Sequence, residues 1–280
     1  MLTVLEIIKK TTEFFAGKGI ESPRLNAELL IGHALGLKRM QLYLQFERPL
    51  AEPELEKIRP LVRRRAQHEP VQYIVGETEF CGLKLKVDRR ALIPRPETEQ
   101  LVEHVVAACS VPPARILDLG TGTGAIALAL ARAFPSAMVT ASDVSEDALV
   151  LARENAAATG LAERVTFVCS NWFAAVPAGP FEVVVSNPPY LSAGETAAAP
   201  AEVRAFEPAT ALTAGEDGLT ALRHIIGESP RFLAAGGMLA LETGIAHHEE
   251  LIRSATAAGF SRAESLRDLT GRDRFVIARL

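Results

Sequence analysis

Apolar residues recur at helical spacing through the first quarter of the chain. Leu5, Ile8 and Phe15 share one face of a first segment, Leu25, Leu29, Leu30 and Ala34 of a second, and Leu55, Ile58 and Val62 of a third. Ser22-Pro23 and Ala51-Glu52-Pro53 supply helix-start chemistry, because the N–H that proline lacks is unpaired in a first turn anyway. These patterns predict a small helical domain over residues 1–72. From Val71 to Val87 the pattern turns β-like, with aromatic and β-branched residues around Gly76 and Gly82, which predicts a hairpin linker within residues 73–95. Pro94, Pro96 and Glu97 then open a helix running to about Cys109, since proline and carboxylates favour a first turn.

Over residues 96–280 the period alternates between two and 3.6. Candidate strands are Arg115 to Leu119, Met138 to Ser142, Val165 to Val168, Phe181 to Ser186, Gly237 to Glu242, Phe260 to Leu266 and Arg274 to Arg279. Helical patterns fall between most of them, at Ala125 to Ala133, Ser145 to Thr159, Gly218 to Leu233 and His247 to Ala258. Such alternation predicts a parallel sheet with helices on both faces. Arg267 to Asp273 is too short to hold a crossover helix, so the last two strands should be antiparallel. The alanine-rich stretch Ser192 to Ala205 is expected to be a lid or irregular connection over the site.

Composition adds limits. A chain of 280 residues suits one large domain or a core with a small extra one, and 48% hydrophobic with 23% charged residues is ordinary for a globular enzyme. The longest uncharged run, Val165 to Phe181, contains Ser170, Asn171, Pro177, Gly179 and Pro180 and does not read as a membrane span. The first ten residues carry Glu6 before two lysines and lack a signal-peptide pattern, so a cytoplasmic location is expected. Cys81, Cys109 and Cys169 are odd in number and show no C-x-x-C pairing, which predicts reduced thiols and neither disulfide framework nor zinc site. Net charge is −4, with 12 Lys+Arg against 9 Asp+Glu in residues 1–75 and hence −7 for the rest. The Arg63-Arg64-Arg65 run is the densest cationic cluster, either a solvated helix face or a place to meet an acidic macromolecule. The acidic whole argues against non-specific binding of nucleic acid.

Four groups of residues close successive candidate strands. Asp118-Leu119-Gly120-Thr121-Gly122-Thr123-Gly124 lies between a strand and a helix, where glycines admit a ligand to the backbone and a helix N-terminus offers N–H groups to an anion. It reads G-x-G-x-G, unlike the G-x-G-x-x-G dinucleotide fingerprint. Asp143, ending the next strand, stands where an acidic residue reaches ribose hydroxyls, and it can also cap the helix starting near Ser145. Asn171-Trp172-Phe173 follows the third strand, with Trp172 either beside a planar ligand or in the core. Asn187-Pro188-Pro189-Tyr190 follows the fourth. Its prolines donate no backbone hydrogen bond yet present carbonyl oxygens, Pro188 and Pro189 stiffen the turn, and Tyr190 can cover a flat group. Such a clamp accepts hydrogen bonds from an NH2 group, and glutamine, adenine and cytosine nitrogens all satisfy it.

On HEPVQYIVGETEF (68–80), LIPRPETEQLV (92–102), DLGTGTGAIALALA (118–131), SNPPYL (186–191), EVRAFEPATAL (202–212), GEDGL (215–219) and GRDRF (271–275), the chain resembles the release-factor glutamine-N(5) methyltransferases over nearly its whole length. Pro94-Arg95-Pro96-Glu97 stands where the related ribosomal-protein glutamine methyltransferases have Pro-Arg-Ser-Pro, which favours the release-factor branch over that alternative. The other alternative, a nucleic-acid adenine-N6 methyltransferase, would flip its base and carry a basic recognition domain. The resemblance implies an α/β class I methyltransferase (Rossmann-like) fold, seven-stranded with the last strand antiparallel, plus a helical N-terminal substrate-docking domain and a hairpin linker. It implies S-adenosylmethionine as methyl donor and S-adenosylhomocysteine as product, bound by Gly120, Thr121, Gly122, Thr123 and Gly124, with Asp143 on the ribose, Trp172 near the adenine and Asn187 beside the donor. Asn187 and Pro188 would be catalytic, and Asn187, Pro188, Pro189 and Tyr190 would hold the glutamine of the Gly-Gly-Gln motif of class I peptide chain release factors. A monomer that binds neither membrane nor nucleic acid stably, and no metal, is expected. Asn171, where relatives often have Asp, and Thr243 and His247, within a segment that relatives write as Glu-His-Gly before Gln, depart from the family pattern, and no role is carried to Thr243 or His247. His247 and His248 read as exposed helix-start residues.

Overall fold

The computed structural model describes residues 2–280, and the chain divides into two compact units. The first comprises the residues up to Glu77 together with Pro200–Phe206. Helices α1 (Val4–Gly17), α2 (Pro23–Leu35), α3 (Arg39–Tyr43), α4 (Glu52–Ala66) and α5 (Val71–Val75) enclose Phe15, Leu30, Ile31, Leu42 and Leu50. Helix α1 starts at a capping box, in which the Thr3 hydroxyl accepts from Glu6 N and the Glu6 carboxylate accepts from Thr3 N at 2.8 Å. The fully buried Glu28 carboxylate accepts from Arg24, Arg39 and Tyr43, so its charge is matched inside the unit.

Two readings of this region need correction. Val71–Val75 forms a helical turn where β structure was expected; Pro70 precedes it and Gly76, at φ +83°, ends it, and five residues, with Gln72 among them, are too few for a period to declare itself. The arginine run is not an open cationic patch. Arg64 pairs with Glu69 through two 2.8 Å bonds, and buried Arg65 donates to Asn26, to the Glu69 carbonyl and to Glu202 at 2.7 Å. The last of these contacts holds Pro200–Phe206 in the helical unit.

The second unit, Thr78–Ala199 with Glu207–Leu280, begins with the hairpin β1 (Glu77–Phe80) and β2 (Leu83–Lys86) and the helix α6 (Pro96–Ala108). Then come β3 (Arg115–Leu119), α7 (Ala125–Ala133), β4 (Met138–Asp143), α8 (Glu146–Ala158), β5 (Val165–Cys169) and β6 (Phe181–Ser186). After α9 (Ala193–Ala198) and α10 (Ala201–Phe206), which belongs to the first unit, the chain continues through α11 (Thr220–Glu228), β7 (Leu233–Glu242), α12 (His248–Ala257), β8 (Arg262–Arg267) and β9 (Asp273–Arg279). The sheet order is β5-β4-β3-β6-β7-β9-β8, with β9 antiparallel to both neighbours and the β3 to β7 pairings parallel. All seven expected strands and the antiparallel last strand are present.

Period-two alternation puts the two sides of each central strand into different cores. Ile116, Val183, Val185, Met238 and Ala240 pack with α6 and α7, whereas Leu117, Leu119, Val184, Leu239 and Leu241 pack with α11 and α12. The chain leaves β3 toward β4 and β5 on one side and returns to β6 on the other, so the strand order reverses at β3. A crevice opens at the carboxyl ends of strands at such a point. The alanine-rich stretch is not irregular, because Ser192 and Glu195 form a capping box for α9 and a second short helix follows. The expected helix Gly218 to Leu233 is shorter, ending at Glu228 ahead of Ser229-Pro230. No helix among the described residues is long and apolar enough to cross a membrane.

Candidate functional site

A cleft at the carboxyl ends of β3, β4 and β6 is walled by Gly120 to Thr123, Asp143, Trp172, Asn187 and Pro189, together with Arg90 to Arg95, Thr98 and Pro208. Gly124, Pro188 and Tyr190 adjoin these lining residues along the chain without lining the cleft themselves. The residues singled out at four strand ends thus meet in one place or directly support it.

The glycine loop is rigidly held. Gly120 N and Thr121 N both donate to the Ser142 carbonyl, at 2.8 and 2.9 Å, which ties the loop to β4. Buried Asn155 on α8 donates to Thr123 O at 2.9 Å and accepts from Lys86 N at 2.7 Å, so the hairpin and α8 grip the loop from behind. Gly120 lies at φ +71°, and a Cβ there would approach the Trp172 ring to 3.6 Å, narrowing the space where a ligand meets the backbone. Gly124 instead makes room for α8, since a Cβ on it would meet Ala152 at 3.2 Å.

Asp118 lies fully buried beneath the loop. Its Oδ2 accepts from the Thr121 hydroxyl at 2.6 Å and from Ala127 N at 3.2 Å, which occupies part of the α7 N-terminus, while Oδ1 has no partner among the described residues. Burial pushes this carboxyl up to about 7, against the pull of the two hydrogen bonds. Asp143 serves the loop and the next helix together. Oδ2 accepts from Gly122 N and Oδ1 from Ser145 N, both at 2.9 Å, while Ser145 itself caps α8 through Ala148 N. Burial also raises the Asp143 carboxyl, and each oxygen keeps a second lone pair for a ligand.

Trp172 adopts a left-handed conformation at φ +52°, an arrangement that costs about 1–3 kcal/mol for a residue with a side chain. The Ser170 hydroxyl supports the bend by donating to Trp172 O and accepting from Ala175 N. The half-buried Trp172 ring packs on the hydrophobic face below and also forms part of the cleft wall. Phe173 is the core aromatic, stacked on Phe232 at 4.6 Å.

At the end of β6, Ser186 donates to Leu119 O at 2.7 Å and locks the strand end to β3. Asn187 Nδ2 donates to the Thr98 hydroxyl at 3.1 Å, Thr98 donates to Glu242 Oε2 at 2.6 Å, and the Tyr190 hydroxyl donates to Glu242 Oε1 at 3.1 Å. Arg274 lies over the Tyr190 ring at 5.7 Å and donates to Thr243 O at 3.1 Å. Burial raises both the Glu242 carboxyl and the Tyr190 phenol; the nearby Glu242 charge adds to the rise at Tyr190. Thr98 thus engages the Asn187 amide nitrogen and not its oxygen, and Asn187 itself lines the cleft.

Several contributors escaped sequence reading. Thr98 and Arg95 lie inside the Pro-Arg-Pro-Glu-Thr-Glu run, and Arg95 reaches buried Glu207 at 2.6 Å, fastening the segment that brings Pro208, Thr210 and Ala211 to the cleft. Glu242 ends an otherwise apolar strand, and that isolated carboxylate was the available signal. Gly218, at φ +74°, explains the Gly-Glu-Asp-Gly-Leu motif, since a Cβ there would sit 2.5 Å from the Tyr190 carbonyl oxygen. The reading of His248 as exposed is overturned. It is buried, with Nε2 2.9 Å from the Thr243 hydroxyl and Nδ1 2.8 Å from Ser265, because α12 starts one residue later than expected and turns His248 inward; His247 is exposed.

Comparison with known proteins agrees with this geometry. The chain matches the PrmC N-terminal domain family over residues 6–76 and the methyltransferase small domain family over residues 96–212. The release factor glutamine methyltransferase of Chlorobaculum tepidum is 46% identical, covering 97% of this chain and 95% of the relative. That of Cereibacter sphaeroides is 44% identical, covering 95% and 94%. Among solved structures, the T. thermophilus 16S rRNA N2 G1207 methyltransferase in complex with AdoMet and guanosine is 18% identical with a TM-score of 0.52, covering 72% of this chain and 49% of that one, a likeness of fold.

Proposed function

Because this chain belongs to the release factor glutamine methyltransferase family, we propose that it transfers a methyl group from S-adenosylmethionine to the side-chain amide nitrogen of the Gly-Gly-Gln glutamine of class I peptide chain release factors. The observation that carries this reading is the Asn187 amide. Its NH2 group is taken by Thr98, which leaves an acceptor oxygen at the carboxyl end of β6, opposite the glycine loop.

The cleft fits the donor on its own geometry. Gly120 admits close approach, Asp143 keeps acceptor lone pairs beside the loop, and the Trp172 ring offers a flat apolar wall. When bound, S-adenosylmethionine supplies an electrophilic methyl group on a sulfonium sulfur. Asn187 Oδ1 and the Pro188 carbonyl oxygen accept the two N–H bonds of the substrate amide. These bonds strengthen as the nitrogen gives up conjugation and gains positive charge, so the two acceptors bind the transition state better than the ground state. Tyr190, held by Glu242 and Arg274, backs the clamp and limits the amide's freedom to turn away from the methyl. The proton released from nitrogen passes to solvent.

Trp172 is the only tryptophan, so intrinsic fluorescence reports on it almost alone. Donor addition should change its emission with a saturable dose dependence. An unresponsive signal would remove Trp172 from the donor pocket.

The helical unit is the proposed docking surface for the factor. On α3 and the residue after it, Met40 and Leu44 are 69% and 85% exposed, a large apolar display for a small unit. Replacing both by serine should raise KM for an intact release factor by about tenfold (~1.4 kcal/mol) while donor Kd stays constant. Calorimetry with the donor alone and initial rates against the factor separate the two quantities.

The decisive experiment combines the purified protein, methyl-labelled donor and a class I release factor, and then maps the label by mass spectrometry. Label on the Gly-Gly-Gln glutamine is expected. Label on a ribosomal protein or on nucleic acid in a mixed incubation, with none on that glutamine, overturns the assignment.

A further inference from the structure

We propose that Thr98 and Glu242 are positioning residues that orient the Asn187 amide, presenting its oxygen and not its NH2 group to the substrate nitrogen. The proposal rests on the reading of Asn187 as an acceptor given above. An asparagine amide is nearly symmetric in shape, and a half-turn about its last bond exchanges acceptor for donor. In the wrong orientation the site would set an NH2 group against an NH2 group. Something must therefore select the orientation before substrate arrives.

The selection follows from counting protons. Thr98 Oγ1 lies 2.6 Å from Glu242 Oε2 and 3.1 Å from the Asn187 amide. A hydroxyl has one proton, and an ionised carboxylate can only accept, so with Glu242 charged that proton points at Glu242. The Thr98 oxygen is then an acceptor toward Asn187, and only Nδ2 satisfies it. The second Glu242 oxygen is held the same way by the Tyr190 hydroxyl at 3.1 Å, with Arg274 Nη1 3.4 Å from that hydroxyl. One carboxylate thus sets both the polar and the aromatic end of the Asn-Pro-Pro-Tyr turn. Thr98 is 4% and Glu242 1% exposed, so water competes little for these bonds. Neither side chain needs to touch the substrate.

Thr98→Val removes the hydroxyl at nearly constant volume, Thr98→Ser retains it, and Glu242→Gln replaces the carboxylate with a group able to donate to Thr98 and so reverse the chain. Single-turnover methylation of a release factor at saturating donor should fall roughly tenfold to a hundredfold in Thr98→Val and in Glu242→Gln, with KM for the factor and donor Kd near wild type. Thr98→Ser should restore most of the rate. A Thr98→Val enzyme as fast as wild type, Val and Ser variants that lose rate together, or a rate loss matched by lost donor affinity would each overturn the proposal.

A second readout does not involve the factor. One Asn187 side-chain amide proton should exchange slowly with solvent by NMR in wild type and Thr98→Ser, and fast in Thr98→Val; equal exchange in all three refutes the orienting role. A wild-type protein that fails to methylate the factor would sink the functional reading, and the exchange measurement would still decide the orientation.

Discussion

Replacing Asn187 by alanine should lower kcat by about 10²–10³ with little change in donor affinity, because one of two acceptors aimed at the developing charge is gone. That loss corresponds to ~2.7–4 kcal/mol, the range seen when one preorganised hydrogen-bonding group is removed from a site of this kind. Background stability should barely move, since Asn187 is only half-buried and its side-chain bond to Thr98 ends in a hydroxyl that keeps its Glu242 partner. Single-turnover rates with saturating donor, paired with a calorimetric donor titration, test this directly. A variant that retains more than about a tenth of the wild-type rate would place the amide-binding role elsewhere on the turn.

The second large effect concerns stability. Folded Asp118 holds its proton to about pH 7, whereas in the unfolded chain it ionises near 3.8. Between those values the folded state binds more protons than the unfolded one, so raising the pH destabilises the fold. The stability is fully present below about pH 4 and lost as pH rises through 7, a swing on the order of 4 kcal/mol at 1.36 kcal/mol per unit. Asp143 and Glu242, also raised by burial, act with the same sign, so a comparison with a neutral isostere is needed. Asp118→Asn keeps an oxygen for Thr121 and Ala127 and removes the charge. Its urea midpoint relative to wild type should climb from pH 4 to about pH 7 and level off above that, and a difference that stays flat across this range would show that Asp118 titrates normally.

Much of this was legible from local pattern. Central strands are largely apolar because both faces are covered, and the glycine loop, Asp143 and Asn187 each end or follow such a strand, which put them on one sheet edge from sequence alone. Legibility failed where tertiary partners decide. Thr98 and Glu242 are 144 positions apart in sequence and meet only because α6 packs beside β7. Arg64 and Arg65 read as a surface run, yet Glu69, Asn26 and Glu202 draw two of the three arginines inward. His248 turned inward through a one-residue shift at a helix start, which is within the ordinary uncertainty of where helices begin.

The ion pair between buried Arg65 and the partly exposed Glu202 has a consequence for protein engineering. Pro200–Phe206 is encoded far from the helical unit to which it belongs, so the chain passes between the two units three times. Swapping residues 1–77 between relatives as a cassette would leave Glu202 behind to meet a foreign arginine, and a truncation beginning at residue 78 would strand seven residues without their fold. A chimaera intended to exchange specificity needs a split graft, with 200–206 carried along with the first 77 residues.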